Sequence, residues 1–407
     1  MLKNETYFID SCDDVELNIK RESKLEYRIT YDDSKQMKAI VFIIGAYGSN
    51  VDLSIIDFDR QFIAKKFDVV AVSVLYHCFS CRINSKDKKY SATFSYDERD
   101  VAYFKEQLNK HGIAFSGEIN QENIQKQIVS LESMLDFYRL KNMIGDDYEF
   151  HLTSTLLPSN NEYQNYGIMA AIDHINALKD IMKNYPQFKS LPKIYGGGSY
   201  GGYLALMCAK IAPWYVDGVI DNSGVTLPHL PHLLGRESEC GEFAIRGDNY
   251  ILLCFVKKYW TRDESSPYFL SDDNYMIRVL LNSKHLSLQN EKNQNTIFIS
   301  YHSAKDEGAP VEHKSNFYEF CKQLGFDTTL HIVKDENDVD GRYIKSLEHG
   351  LRMTDRALFK KELPILLEKL KNKTFNMREN SISYPCKDKI FTFKDFKDRF
   401  ELKITRL

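Results

Sequence analysis

The sequence contains no apolar run long enough to cross a bilayer, no surplus of positive charge and no dense set of cysteines. Each absence removes a class of protein. The longest apolar stretches, around Ala39 to Ala46 and Val69 to Tyr76, fall well short of the roughly 20 residues that span a membrane. The opening residues run quickly into Asp13 and Asp14 and lack the apolar core of a secretory signal. A cytoplasmic protein with no membrane partner is therefore expected. Basic side chains number 54 against 57 acidic ones, a formal net charge of -3, so no global field draws nucleic acid. The eight cysteines, Cys12, Cys78, Cys81, Cys208, Cys240, Cys254, Cys321 and Cys386, are scattered through apolar surroundings and read as buried thiols rather than a disulfide framework. Cys78 and Cys81 form one C-x-x-C, but no second pair stands at a zinc-site spacing. With 43% hydrophobic and 13% aromatic residues, the composition is neither disordered, collagen-like nor low-complexity.

Along the chain, Val15 to Lys20 and Leu25 to Tyr31 alternate as amphipathic strands, with a turn at Asp32-Asp33-Ser34. The short β-branched runs Ala39–Ile44 and Val69–Leu75 read as strands covered on both faces, with a helix over Ile55–Lys66 between them. From about Asn84 to Tyr163 the sequence is charged and amphipathic, clearest at Gln121–Leu140, with no buried-strand run; it reads as a helical insertion. Alternation resumes with a helix from Tyr166 to Asn184, a short strand at Lys193–Tyr195, a glycine cluster, a helix from Tyr203 to Ile211, and a strand at Val216–Asp221. A second interruption covers Thr226 to Asn290. Strands at Thr296–Tyr301 and Thr328–Val333 follow, with helices at Val311–Leu324 and Asp355–Leu370. Strand and helix in turn imply a doubly wound α/β sheet. The polar tail carries two short strand patterns, Lys389–Phe393 and Glu401–Ile404, and its role is not legible.

The most informative stretch is Gly196-Gly197-Gly198-Ser199-Tyr200-Gly201-Gly202, placed between a strand and a helix. Read as G-x-S-x-G through Gly197, Ser199 and Gly201, it is a nucleophile elbow: glycines flank the serine because the sharp turn crowds neighbouring backbones. The helix then starts under Ser199, and the Tyr200 amide can face a developing oxyanion. Read as G-x-G-x-x-G through Gly196, Gly198 and Gly201, it is a dinucleotide fingerprint, with Asp217 or Asp221 as the required acid. Company favours the serine. That chemistry needs an acid and then a histidine on later loops. Asp306 follows one later strand and His349 follows the last.

Here the chain resembles the α/β-hydrolase superfamily, and the Gly-Gly-Ser-Tyr-Gly-Gly elbow looks most like its prolyl-oligopeptidase-like and esterase branches. The resemblance implies a mostly parallel central sheet of about eight strands flanked by helices, with the nucleophile after the fifth strand. It would make 1–83, 164–225 and 291–371 the hydrolase core, 84–163 a helical cap, 226–290 a lid and 372–407 an extension. Ser199 matches the nucleophile, Asp306 the acid and His349 the base. The second oxyanion donor falls in Gly45-Ala46-Tyr47-Gly48, through the Ala46 or Tyr47 amide or the Tyr47 hydroxyl. The expected activity is esterase or deacylase chemistry on a small or sugar-linked acyl ester, with acyltransferase or peptidase chemistry on the same triad as alternatives. A catalytically silent hydrolase-fold protein that binds a glycan or a partner is a further alternative. The whole chain is also loosely similar to a bacterial family found near flagellin-glycosylation genes.

The rival residues have plainer duties. Asp306 also suits a helix cap before Pro310; Asp221, Asp335, Asp338 and Asp340 are the other acids within reach. His302 lies close to the acid loop, His313 falls on a helix and His331 on a strand. His229 and His232, beside prolines, have no cysteine or carboxylate to complete a ligand set. No metal and no cofactor are expected.

Overall fold

The computed structural model describes the 407-residue chain apart from residues 49–51, 85, 115–116, 146, 239–240, 372, 374 and 376–378, so Cys240 lies outside the described residues. The strands are β1 (Leu2–Asp10), β2 (Lys24–Asp32), β3 (Ile40–Ile43), β4 (Val70–Leu75), β5 (Thr93–Ser95), β6 (Phe150–Leu157), β7 (Lys193–Gly198), β8 (Gly218–Asn222), β9 (Phe243–Arg246), β10 (Tyr250–Val256), β11 (Ile297–Ser303), β12 (Asp327–Val333), β13 (Ser381–Cys386), β14 (Lys389–Phe396) and β15 (Arg399–Arg406). The helices are α1 (Leu53–Phe67), α2 (Glu98–Lys110), α3 (Ile124–Leu140), α4 (Ile168–Asn184), α5 (Tyr200–Ile211), α6 (Leu230–Leu234), α7 (Asp272–Arg278), α8 (Ser283–Lys292), α9 (Val311–Gln323) and α10 (Asp355–Leu370).

Eight strands form one sheet in the order β1-β2-β4-β3-β7-β8-β11-β12. β2 is antiparallel to β1 and β4, and every neighbouring pair from β4 to β12 is parallel. Along the chain β7 is the fifth strand of this sheet, and the fold is that of the α/β-hydrolases. Alternate side chains serve the two faces, as the pleat requires. Ile40, Phe42, Val70, Val72, Tyr195, Val219 and Phe298 pack with α4, α5 and α9. Val41, Ala71, Ile194, Ile220, Ile297 and Ile299 pack with α1 and α10. Both faces are covered, which is why these strands read as continuous apolar runs.

Three segments differ from the sequence expectation. Val15–Lys20 is not a strand: Asp14 accepts from the amides of Glu16 (3.0 Å) and Leu17 (3.2 Å), closing a turn, and the partner of β2 is instead the N-terminal β1. The segment from Asn84 to Tyr163, expected to hold helices only, contains β5 and β6 beside α2 and α3. β6 pairs in parallel with β10 from the second insertion, giving a second sheet in the order β5-β6-β10-β9. Phe104, Leu108, Ile128 and Leu131 of α2 and α3 cover Phe150, Leu152, Leu252 and Cys254 of that sheet, so the two insertions share one core. In the tail, the expected strands are β14 and β15, and β13 completes a three-stranded sheet. That sheet buries Tyr384, Phe391, Phe393 and Phe400 in the main core, and Asn176 on α4 exchanges hydrogen bonds with the Phe400 backbone (2.8 and 3.0 Å).

Lys210 marks where α5, α7 and the tail meet. Its ammonium donates to the carbonyls of Ile277 (2.6 Å) and Val279 (2.8 Å) at the end of α7, while its own carbonyl accepts from the Tyr384 hydroxyl (2.5 Å). Burial pushes the Lys210 ammonium down to about 7. The unfolded chain therefore holds this proton to a higher pH than the folded one, and Lys210 adds stability as pH rises from about 7 towards the ordinary lysine value. Urea unfolding of the native chain and of Lys210→Met should diverge between pH 7 and pH 9.5 in favour of the native chain, by up to about 1.4 kcal/mol per pH unit. Parallel profiles would contradict this assignment.

Candidate active site

The elbow is built by a close approach of backbones. β3 runs directly beside β7, and the Ile44 carbonyl lies where side chains of Gly197 and Gly201 would be: a Cβ at either position would stand 2.0 or 2.1 Å from that oxygen. Neither glycine has positive φ; the space itself excludes a side chain. Between them Ser199 takes φ 54°, ψ -119°, a conformation rare for a non-glycine residue and one that stores strain at functional turns. Its amide donates to the Asn222 carbonyl at 2.7 Å, and α5 begins at the next residue. The Tyr200 amide is thus a first-turn helix donor with no partner inside the helix.

Two loops from further along the chain meet this serine. Asp306 follows β11 and has both oxygens engaged: Oδ1 accepts from the amides of Gly308 (3.1 Å) and Ala309 (3.0 Å), and Oδ2 accepts from His349 Nδ1 at 2.7 Å. His349 Nε2 lies 2.8 Å from Ser199 Oγ. With Nδ1–H spent on the carboxylate, Nε2 carries the lone pair and the Ser199 hydroxyl donates to it. The Asp306 carboxylate is fully buried while the His349 ring is 40% exposed, so the pair opens to solvent on the serine side. The His349 loop is pinned to the end of β8: the Gly350 amide donates to Ser223 Oγ (3.1 Å) and Asn222 Nδ2 donates to the Gly350 carbonyl (2.8 Å). Ser303 Oγ holds the same loop through the Leu347 carbonyl at 2.5 Å.

The structure thus brings Ser199, Asp306 and His349 together and leaves the rival residues elsewhere. Asp221 is buried against Lys314 (2.8 and 3.0 Å), and Asp217 accepts from the Lys193 amide (2.8 Å). The acids that a dinucleotide site would need are therefore committed within the sheet. Asp335, Asp338 and Asp340 bind nearby backbone amides. His331 stacks on Tyr301 with centroids 4.5 Å apart, and His313 lies on α9. His302 Nε2 donates to the Ala309 carbonyl at 2.6 Å and stands 3.8 Å from Asp306 Oδ2. Among the described residues no group of three or more His, Cys, Asp or Glu is placed to hold a metal ion, and Cys78 and Cys81 are buried free thiols.

The loop after β3 lies beside the elbow. The Gly45 carbonyl is taken by the Tyr76 hydroxyl (3.2 Å), and the Tyr47 ring meets Tyr200 edge-on at 5.3 Å and stacks on His232 at 4.5 Å. The Tyr47 hydroxyl donates to Glu242, which also accepts from Lys258 and, at 2.6 Å, from the Val256 amide. Burial and the Glu242 carboxylate hold the Tyr47 phenol well above its ordinary range. Of the two ways Tyr47 was expected to serve, the hydroxyl is therefore occupied. Glu242, Lys258 and His232 all come from the second insertion and were missed as parts of this site. Their segment includes the apolar run Tyr250–Val256 that forms β10, but nothing local to the chain places its neighbours over Tyr47.

No helix among the described residues is long and apolar enough to cross a membrane. The fold and the three converging side chains place the chain among α/β-hydrolase-fold proteins with a Ser-His-Asp arrangement. The chain belongs to the family described as "Protein of unknown function (DUF2920)", whose model matches residues 5–404. No curated protein matches it in sequence. Among solved structures it is similar to an acylaminoacyl peptidase of Pyrococcus horikoshii, with a TM-score of 0.46 and 12% identity over 93% of this chain and 43% of that one. It is also similar to Thermogutta terrifontis esterase 2 (TM-score 0.40, 13% identity, 90% of this chain and 92% of that one) and to a ferulic acid esterase (0.42, 10%, 90% and 98%). The chain spans less than half the length of the peptidases it resembles.

Gly201→Ala should lose about 3 kcal/mol or more of stability, or fail to fold, because the Ile44–Gly45 backbone blocks its Cβ. Gly198→Ala, whose Cβ would meet Asp355 at an ordinary 3.4 Å, should stay within about 1 kcal/mol of the native chain. Urea midpoints decide it, and equal losses at both positions would contradict the packing argument.

Proposed function

We propose that this chain is a serine hydrolase that cleaves a small or sugar-linked acyl ester through a covalent acyl-enzyme. The observation that carries the reading is the continuous hydrogen-bond line from Asp306 through His349 to Ser199, with contacts of 2.7 and 2.8 Å, ending on an oxygen held in an elbow. His349 Nε2 takes the Ser199 proton as Oγ attacks the acyl carbon, and Asp306 holds the ring in the needed tautomer and stabilises the imidazolium. The carbonyl oxygen becomes an oxyanion beside the Tyr200 amide and the Gly45–Gly48 loop. Because the Tyr47 hydroxyl is committed to Glu242, the loop's donor in this reading is backbone N–H. Each aligned donor is worth roughly 3 kcal/mol of transition-state stabilisation. Collapse of the tetrahedral species breaks the acyl–oxygen bond, and His349 returns the proton to the departing alcohol. Water then repeats the cycle on the acyl-enzyme, with His349 again as base, and releases the acid.

Rapid mixing with p-nitrophenyl acetate should give a burst of p-nitrophenol approaching one equivalent per chain, followed by a slower steady state. Ser199→Ala should abolish the burst, and His349→Ala should slow acylation by about 10⁴-fold or more while the protein stays folded. A folded native chain with no burst and no turnover on acyl esters would exclude the reading in favour of a non-catalytic binding protein.

A further inference from the structure

Strand β7 bonds to its two neighbours in turn, as an inner strand of a parallel sheet does. Lys193 and Ser199 face β8: the Lys193 carbonyl accepts from the Asp217 amide, and the Ser199 amide donates to the Asn222 carbonyl. Pro192 and Gly196 face β3, whose Ile40 and Ile44 amides reach their carbonyls at 2.9 and 2.8 Å. Gly198 belongs to this second set. Yet β3 pairs with β7 only as far as Gly196, and the chain then leaves as the Gly45–Gly48 loop. The amide of the residue before the nucleophile is therefore past the end of the strand that would have paired it.

Asp355 takes that place. Its Oδ1 accepts from the Gly198 amide at 2.9 Å, across 157 residues of sequence. The start of α10 brings it there: Thr354 caps the helix by accepting from the Ala357 amide (3.3 Å), and Leu358 and Phe359 bury the first turns against the sheet. The setting is an unfavourable one for a carboxyl. Burial pushes Asp355 up to about 7 against the pull of the Gly198 amide, and Asp59 on α1 adds to the rise. No cation offsets this among the described residues, because Arg356 turns to Asp59 at 3.4 Å. The Tyr76 hydroxyl, which also feels the Asp355 charge, donates to the Gly45 carbonyl. A carboxyl kept in so poor a setting points to a duty at the site it touches, and the atom it touches lies one residue from Ser199 at φ 54°. With the Gly198 N–H unpaired, the peptide before the elbow would be free to rotate, and Ser199 Oγ would lose its 2.8 Å contact with His349.

We infer that Asp355 is a positioning residue for acylation: by accepting from the Gly198 amide it closes the open end of β7 and holds the Ser199 oxygen in line with His349. The inference rests on the hydrolase reading, since it assigns a role within that reaction.

The test follows the p-nitrophenyl acetate burst in full-length Asp355→Ala, Asp355→Asn and Asp355→Glu. Burst amplitude counts the competent sites, and the burst rate constant at saturating ester reports how fast each one acylates. Asp355→Ala should slow that rate constant by about 10- to 100-fold, as small misplacements of a reacting atom do, with the ester concentration for half-saturation little changed. Asp355→Asn keeps an acceptor in place and should recover most of the loss. Asp355→Glu keeps the charge but displaces the oxygen and should stay slow, so the contrast with Asn decides the matter even where Asp355→Ala does not fold. In the ¹⁵N-glycine-labelled chain, the Gly198 amide proton should move upfield in Asp355→Ala and return towards its native position in Asp355→Asn. A residue that only held the fold together would lower the amplitude and leave the rate constant of the remaining sites unchanged. That result, or an Asn variant as slow as Ala or Glu, or an unmoved Gly198 proton, would overturn the inference while the native burst stands. A native chain with no burst would instead remove the hydrolase reading, and this role with it.

Discussion

The site depends on how closely the end of β3 approaches the elbow. The Ile44 carbonyl occupies the space that side chains at Gly197 and Gly201 would fill, so the turn between them has no room to relax and Ser199 is held at positive φ. The same contact fixes where the chain goes after β3. The residues that follow Ile44 are the Gly45–Gly48 loop, which is thereby laid against Tyr200 and the start of α5. One backbone approach thus sets the serine oxygen and the surface on which an oxyanion would form.

The histidine reaches this point because parallel strands deliver their loops to the same sheet edge. β8, β11 and β12 each end there. Asn222 and Ser223 at the end of β8 grip the Gly350 backbone, and Ser303 at the end of β11 grips Leu347. A mobile imidazole would lose alignment with the serine; these three contacts hold the loop from two strands. The segment between β8 and β11 contributes from the other side, with the buried Glu242–Lys258 pair and the His232 ring packed on Tyr47. Each charge of this buried pair is matched by the other, and removing either would leave an uncompensated charge beside Tyr47.

Much of this was legible from residues alone, for identifiable reasons. Strands β3, β4, β8 and β11 are buried on both faces and so wrote themselves as β-branched runs. The elbow showed because only glycine fits beside Ile44. Asp306 and His349 followed from chain order after the later strands. β1 was missed because Leu2–Asp10 alternates between half-buried and exposed positions at a sheet edge, leaving a weak apolar signal. Val15–Lys20 misled because alternation of residue types cannot report that the Asp14 carboxylate closes a turn. β6 alternates buried and half-buried residues but sits among charged helices, and its partner β10 lies about 100 residues on. Pairing at that distance leaves no local trace, and for the same reason the Tyr47–Glu242–Lys258 contact could not be read from the chain.

The central claim is that a single serine, set by the elbow and activated by one histidine, is the reactive group of this protein. Peptide mapping by mass spectrometry after treatment with a fluorophosphonate tests it most directly. The account requires one adduct per chain, on Ser199, that forms rapidly in the native protein and is lost or greatly slowed in His349→Ala. A folded native chain that carries no adduct, or carries it on a different serine, would contradict the account.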